Sequence, residues 1–177
     1  MSTHIGIIGK SGSGKSTIAM GNKDLGIIGL KDLGCHIAVS HTSRPKRDGE
    51  IDGVDYHFVD NQTILDMKDR GELFNFHERF GVLYAMTLKE MNCASIVVGI
   101  FDHEGIDTLL SYDSSSFIVW VDIDETDREN RIISRDGNDI RVGGCWVEKP
   151  KGKINLFITC DKDSAQTIME KSSHLHN

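Results

Sequence analysis

An α/β fold with a mainly parallel sheet flanked by helices is predicted by three observations. A glycine-rich turn stands between an apolar run and a helix-forming run at the start of the chain. Apolar, β-branched runs then alternate with stretches that suit helices. The runs at 96–100 and 117–123 are apolar nearly throughout, as in strands covered on both faces.

Taken in order, Ile5-Gly6-Ile7-Ile8 reads as a buried strand. Gly9-Lys10-Ser11-Gly12-Ser13-Gly14-Lys15-Ser16 follows and fits G-x-x-x-x-G-K-[ST], the phosphate-binding P-loop. Thr17-Ile18-Ala19-Met20 can open a helix, although Gly21, Gly26, Gly29 and Gly34 make it a poor one. Strand, glycine turn and helix start together form an anion cradle of inward-pointing backbone N–H groups. Gly9, Ser11, Gly12, Ser13, Gly14, Lys15, Ser16 and Thr17 are therefore the expected ATP-binding residues. Lys15 would reach the β- and γ-phosphates, and the Ser16 hydroxyl would hold Mg²⁺. Further strands are expected at 37–39, 56–59 and 156–159, and helices at 62–70, 104–110, 125–135 and 164–171. The segment from about 40 to 88, with Tyr56, Tyr84 and the turn at 48–53, suggests short antiparallel strands inserted into this core.

With 177 residues, one domain is expected. No apolar run approaches the roughly 20 residues of a membrane span, and no secretory apolar region is seen at the N-terminus. The net charge of −7 argues against broad nucleic-acid binding but not against a small nucleotide, for which a few placed cations suffice. Cys35, Cys93, Cys145 and Cys160 are too dispersed for a zinc site or a disulfide framework, which suits reduced thiols in the cytoplasm. His41, His57, His77 and His103 lack zinc-ligand spacing and are expected to be exposed or structural. Asp122 and Asp124 are expected to end a strand and cap the helix carrying Arg128 and Arg131, and Trp120 to pack in the core.

The second strong signal is the run from Ser40-His41-Thr42-Ser43-Arg44 through Arg47-Asp48-Gly49-Glu50 to Asp55-Tyr56-His57-Phe58. Arg44, Lys46 and Arg47 lie close together ahead of a tyrosine hydroxyl, and arginine forks suit phosphate oxygens. Taken alone, a solvated basic turn explains it equally well. Together with the P-loop, however, this stretch resembles the guanylate kinase family, which carries S-x-T-T-R-x-x-R-x-G-E-x-x-G-x-D-Y-x-F after its P-loop. The likeness continues through Gly71-Glu72-Leu73-Phe74, Phe80-Gly81-Val82-Leu83-Tyr84, Asp102-His103-Glu104-Gly105 and Arg131-Ile132-Ile133-Ser134-Arg135-Asp136-Gly137, and weakens after Arg141.

The resemblance implies a single domain of three parts. These are a P-loop core at about 1–39, 94–125 and 150–177, a monophosphate-binding region at about 40–90, and a short lid at about 128–145. It implies phosphoryl transfer from MgATP to a nucleoside monophosphate. Ser40, Arg44, Arg47, Tyr56, Tyr84 and Asp102 would lie at the monophosphate site, and Arg131, Arg135 and Arg141 would close from the lid. Lys15, Arg44 and the lid arginines would carry the catalytic charge. GMP or dGMP is the first acceptor implied, with dTMP or other deoxynucleotides next, in a cytoplasmic (or, if phage-encoded, host-cytoplasmic) monomer or homodimer. The competing reading is a non-catalytic guanylate-kinase-like domain that binds protein; the intact Gly14, Lys15 and Ser16 speak against it.

The base-reading positions depart from the family pattern. Asn75 stands where the family has a glutamate, Met86 where it has a serine or threonine, Ala85 for a glycine and Ile100 for the first aspartate of the D-x-D segment. A carboxylate only accepts hydrogen bonds, whereas an asparagine amide both accepts and donates. A relaxed or shifted base preference is therefore expected, unless Glu72 or Glu78 supplies the missing carboxylate.

Overall fold

Strand β1 (Thr3–Gly9) is buried along its whole length, because it lies in the middle of a five-stranded sheet. The computed structural model describes residues 2–136 and 153–173. The remaining elements, in chain order, begin with α1 (Lys15–Met20), β2 (His36–Ile37), β3 (His41–Thr42), β4 (His57–Phe58) and α2 (Asn61–Asp69). They continue with β5 (Leu73–Arg79), β6 (Val82–Thr87), α3 (Leu88–Met91), β7 (Ile96–Ile100) and α4 (His103–Tyr112). Last come β8 (Phe117–Asp122), α5 (Glu125–Asp136), β9 (Leu156–Thr159) and α6 (Ser164–Ser172).

The first sheet runs β2-β7-β1-β8-β9, and every pairing in it is parallel. Its two central partners of β1 are the apolar runs at 96–100 and 117–122, buried on both faces as their composition predicts. One face packs Ile5, Ile7, Val98 and Val119 against α1 and α6 through Ile18 and Ile168. The other packs Ile8, Val97, Ile118 and Trp120 against α4 through Ile106 and Leu109.

The second sheet runs β4-β3-β6-β5 and is mixed, with β3 and β4 parallel and β3, β6 and β5 antiparallel. Glu90 anchors the chain where it passes from one sheet to the other. Its carboxylate accepts from the Val39 N–H at 3.0 Å and lies 2.8 Å from His36 Nε2. Burial pushes the Glu90 carboxyl up, but these two contacts outweigh it and hold it below the usual range.

Helix starts follow from short acceptor side chains. Asp60 accepts from Thr63 N–H at 2.7 Å and Asp102 from Gly105 N–H at 2.9 Å. Asp124 accepts from Thr126 N–H at 2.9 Å, which begins α5 as its sequence suggests. Helix α1 covers only 6 residues and stops at Gly21, whose φ is +80°. Past it, Leu30 and Lys31 N–H groups bond to the Ile18 and Ala19 carbonyls, so a turn satisfies the helix end. None of the described helices is long and apolar enough to cross a membrane.

Leu109 is fully buried where α4 meets the sheet. Leu109→Ala should lower the unfolding free energy by about 2–5 kcal/mol. Urea titration followed by circular dichroism checks this, and a midpoint that does not move would show that α4 is not held by this contact.

Candidate functional site

The P-loop is shaped by contacts that leave no room for side chains. Gly14 has φ +97°, and a Cβ there would lie 2.6 Å from Cys160 Cβ and 2.7 Å from its Sγ. A glycine is thus required both by conformation and by the neighbouring loop after β9. The chain turns through a Ser13 N–H to Lys10 carbonyl bond of 3.2 Å, and α1 begins with Ile18 N–H on the Gly14 carbonyl at 2.9 Å. Lys15 Nζ donates to the Gly9 and Lys10 carbonyls at 2.8 and 2.7 Å, which holds the ammonium across the loop. The Ser13 hydroxyl is buried without a hydrogen-bond partner, and Ser16 is exposed on the first turn of α1. No group of three or more His, Cys, Asp or Glu side chains that could cage a metal occurs among the described residues. This donor set fits Mg²⁺ that arrives on a nucleotide and takes one protein hydroxyl, as Mg²⁺ commonly does.

Helix α5 is tied to the same loop. Glu125 accepts from Lys10 Nζ at 2.9 Å and from Arg128 Nε at 2.7 Å. Arg128, then Lys10, lower the Glu125 carboxyl to about 2. Arg128 is buried, and Arg131 Nη1 lies 3.5 Å from the Gly12 carbonyl. Arg135 lies in the last turn of α5, while Arg141, Cys145 and Trp146 fall outside the described residues.

A cleft of about 290 Å³ opens between the loop and the second sheet. Gly9, Ser11 and Lys15 line it from the loop; Ser40, Tyr56 and Tyr84 line it from the facing strands. Asn75, Met86 and Asp102 complete it beside the start of α4. Burial, and then neighbouring Tyr84, push the Tyr56 hydroxyl above its ordinary value, so it stays protonated and able to donate to an anion. Asn75 Nδ2 would lie 3.0 Å from a Cβ placed at Gly105, so its amide points toward the capped end of α4. Met86 is only 1% exposed and belongs to the cluster of Phe74, Phe101 and Ile106. It forms an apolar floor rather than a projecting side chain. Glu72 pairs with Arg70 at 2.6 Å, and Glu78 is exposed; neither lines the cleft, so Asp102 is the carboxylate that shares its lining with Asn75.

The two arginines of the basic turn are placed differently. Arg44 makes a bidentate pair with Glu50 (Nη1–Oε2 2.7 Å, Nη2–Oε1 2.5 Å) and also donates to the Pro45 carbonyl at 2.9 Å. Its guanidinium lies 5.2 Å from the Tyr56 ring centroid and 5.5 Å from that of Phe58. With three N–H donors engaged, Nε and one Nη2 hydrogen remain to face a ligand. Arg47 is exposed, and its backbone N–H bonds to Glu50 at 2.8 Å. Neither arginine lines the cleft; Arg44 stands over the ring of Tyr56, which does.

Three contributors escaped the sequence reading. Glu50 orients Arg44, and its place in the motif was the signal. His77 and Arg79 also line the cleft, and no site role was expected of either. They alternate with Phe76 and Glu78 on β5, so they share the face that carries Asn75. His41, by contrast, is buried against His57, with ring centroids 4.6 Å apart. Burial, then His57, lower its pKa.

The sequence model of the guanylate kinase family matches residues 1–141. A guanylate kinase of Zymomonas mobilis subsp. mobilis is 33% identical over 138 residues, 73% of this chain and 61% of that protein. A guanylate kinase of Aromatoleum aromaticum is 40% identical over 83 residues, 47% of this chain and 38% of its own length. The chain therefore spans about three fifths or less of the length of these curated relatives. In structure, it is similar to the crystal structure of guanylate kinase from Anaplasma phagocytophilum, with a TM-score of 0.65 at 19% identity, covering 99% of this chain and 85% of that one.

The Arg44–Glu50 pair yields a prediction with a sign. Arg44 lowers the Glu50 carboxyl from 4.5 to about 2, so the pair stabilises the fold above pH 4.5 and is lost as pH falls toward 2. Near pH 7, Glu50→Ala should melt at a lower temperature than wild type, because the Arg44 guanidinium loses its bidentate partner. The melting-temperature gap between wild type and variant should hold constant above pH 5 and narrow in more acidic buffer; a gap that widens there would contradict this account.

Proposed function

The chain belongs to the guanylate kinase family, and on that premise we propose that it transfers the γ-phosphoryl group of MgATP to a nucleoside monophosphate. GMP and dGMP are the first acceptors, and dTMP and other deoxynucleoside monophosphates are admitted as well. One observation carries this reading: P-loop residues and acceptor-side residues line a single cleft. Donor and acceptor phosphates drawn to opposite walls of that cleft would meet without a large rearrangement of the two sheets.

The residues divide the work by charge. Residues Gly9, Ser11, Gly12, Ser13, Gly14 and Thr17 wrap the donor phosphates, and Lys15 neutralises the oxygens that gain charge during transfer. The Ser16 hydroxyl would hold Mg²⁺, which would supply further positive charge to the nucleotide phosphates. Ser40, Tyr56 and Tyr84 hold the acceptor phosphate, together with Arg44 and Arg47. Arg131 and Arg135, carried on α5, would close over the transferring phosphoryl group together with Arg141 of the expected lid, and would exclude water that otherwise hydrolyses ATP. The attacking phosphate oxygen is already anionic near neutral pH, so no general base is needed. A cytoplasmic location and action as a monomer or homodimer go with this reading.

Asn75, Met86 and Asp102 form the base-reading end. The amide of Asn75 can meet guanine N1–H and O6, or the same donor–acceptor pattern at thymine N3–H and O4. Met86 offers no hydrogen bond at all. A site with fewer dedicated polar partners rejects the wrong base less strongly.

A coupled ADP-release assay with MgATP against GMP, dGMP, dTMP, dCMP and dAMP tests the reading. Turnover of GMP and dGMP together with dTMP is expected, and Lys15→Ala should lower kcat by about 100-fold or more. Strict selectivity for GMP and dGMP would overturn the broadened base range. Tight nucleotide binding without turnover would point instead to the protein-binding domain.

A further inference from the structure

The cleft contains two groups of side chains joined by one ring. Tyr56 and Tyr84 lie together, with ring centroids 6.2 Å apart, and Arg44 stands over Tyr56. This group is rich in hydroxyl and cationic donors and draws a phosphate. Asn75, Met86, Phe101 and Asp102 gather at the start of α4 and offer an amide, a carboxylate and apolar surface. This group suits a base. His77 touches both. Its ring stacks on Tyr84 with centroids 5.2 Å apart and planes 12° from parallel. Its Nε2 lies 3.7 Å from Asp102 Oδ2. The pairing of His77 with Tyr84 across β5 and β6 fixes that stack, and the side chain is 29% exposed, on the cleft wall.

A ring held in this position occupies space that a base needs. A single-ring base can lie beside the imidazole and leave its stack on Tyr84 intact. A two-ring base reaching Asn75 would compete for room with the imidazole, which lines the same cleft two residues along the strand. Resting on the proposed monophosphate kinase activity, we propose that His77 is a specificity-determining residue that narrows the base site and favours pyrimidine over purine acceptors relative to the same site without the ring. Shape and stacking carry the effect, so an aromatic ring without ring nitrogens should reproduce it.

The test compares full-length wild type, His77→Ala and His77→Phe with dTMP and dGMP. Steady-state kcat/KM is measured with MgATP, and Kd by calorimetry. In His77→Ala, the ratio of dTMP to dGMP should fall about tenfold in both measurements, mainly through tighter purine binding. His77→Phe should keep the wild-type ratio to within about threefold. A structural role alone would lower both acceptors together, so an unchanged ratio in His77→Ala overturns the inference. A ratio that falls equally in His77→Phe overturns it as well, because the ring would then not be the cause. Wild-type protein that binds both nucleotides but phosphorylates neither overturns the kinase reading, while the calorimetric ratios still decide the role of His77. Protein that binds neither overturns both.

Discussion

Three loops converge on one edge of the parallel sheet because β1 is in register with both neighbours. Ile7 lies opposite Ile100 on β7, and Gly9 lies opposite Val121 on β8. The strands therefore end together, and their continuations emerge side by side: the P-loop, the Phe101-Asp102 corner and the start of α5. Ligands in open α/β sheets bind at the carboxyl ends of strands for this reason. The buried Ile and Val side chains of β1, β7 and β8 hold the register, since a slip of one residue would exchange the two faces of each strand. Lys15 and Asp102 owe their place in one cleft to that apolar packing.

The polar contacts then refine what the register places. Glu125 joins Lys10 to Arg128, which ties α5 to the phosphate loop. Glu50 does the same for the basic turn, converting a flexible arginine into a fixed one stacked over Tyr56. Each carboxylate is held well below its ordinary pKa, and each sits one step back from the cleft. Such residues act through the cations they orient.

The parallel strands were legible in the sequence because burial on both faces leaves unbroken apolar runs, and the P-loop was legible because its glycines answer to backbone geometry. The two-residue strands β2, β3 and β4 show why boundaries were harder to read: elements that short take their form from neighbours. The sequence reading assigned no role to His77 or Arg79, although Asn75 two residues away was singled out. The period of two along β5 was the available signal, but it becomes decisive only when the strand's facing side is known. Arg128 was equally opaque, because nothing local distinguishes a buried arginine in a charged helix from an exposed one; only its packing beneath Gly12 does.

Met86 belongs to the core and to the cleft wall at once. Its side chain lines the cleft, yet it is packed among Phe74, Phe101 and Ile106. A hydroxyl residue introduced there would leave a cavity in that cluster before it gained a partner in the cleft. Any side chain that this position presents to the cleft has to satisfy the same packing, unless Phe74 or Phe101 changes with it.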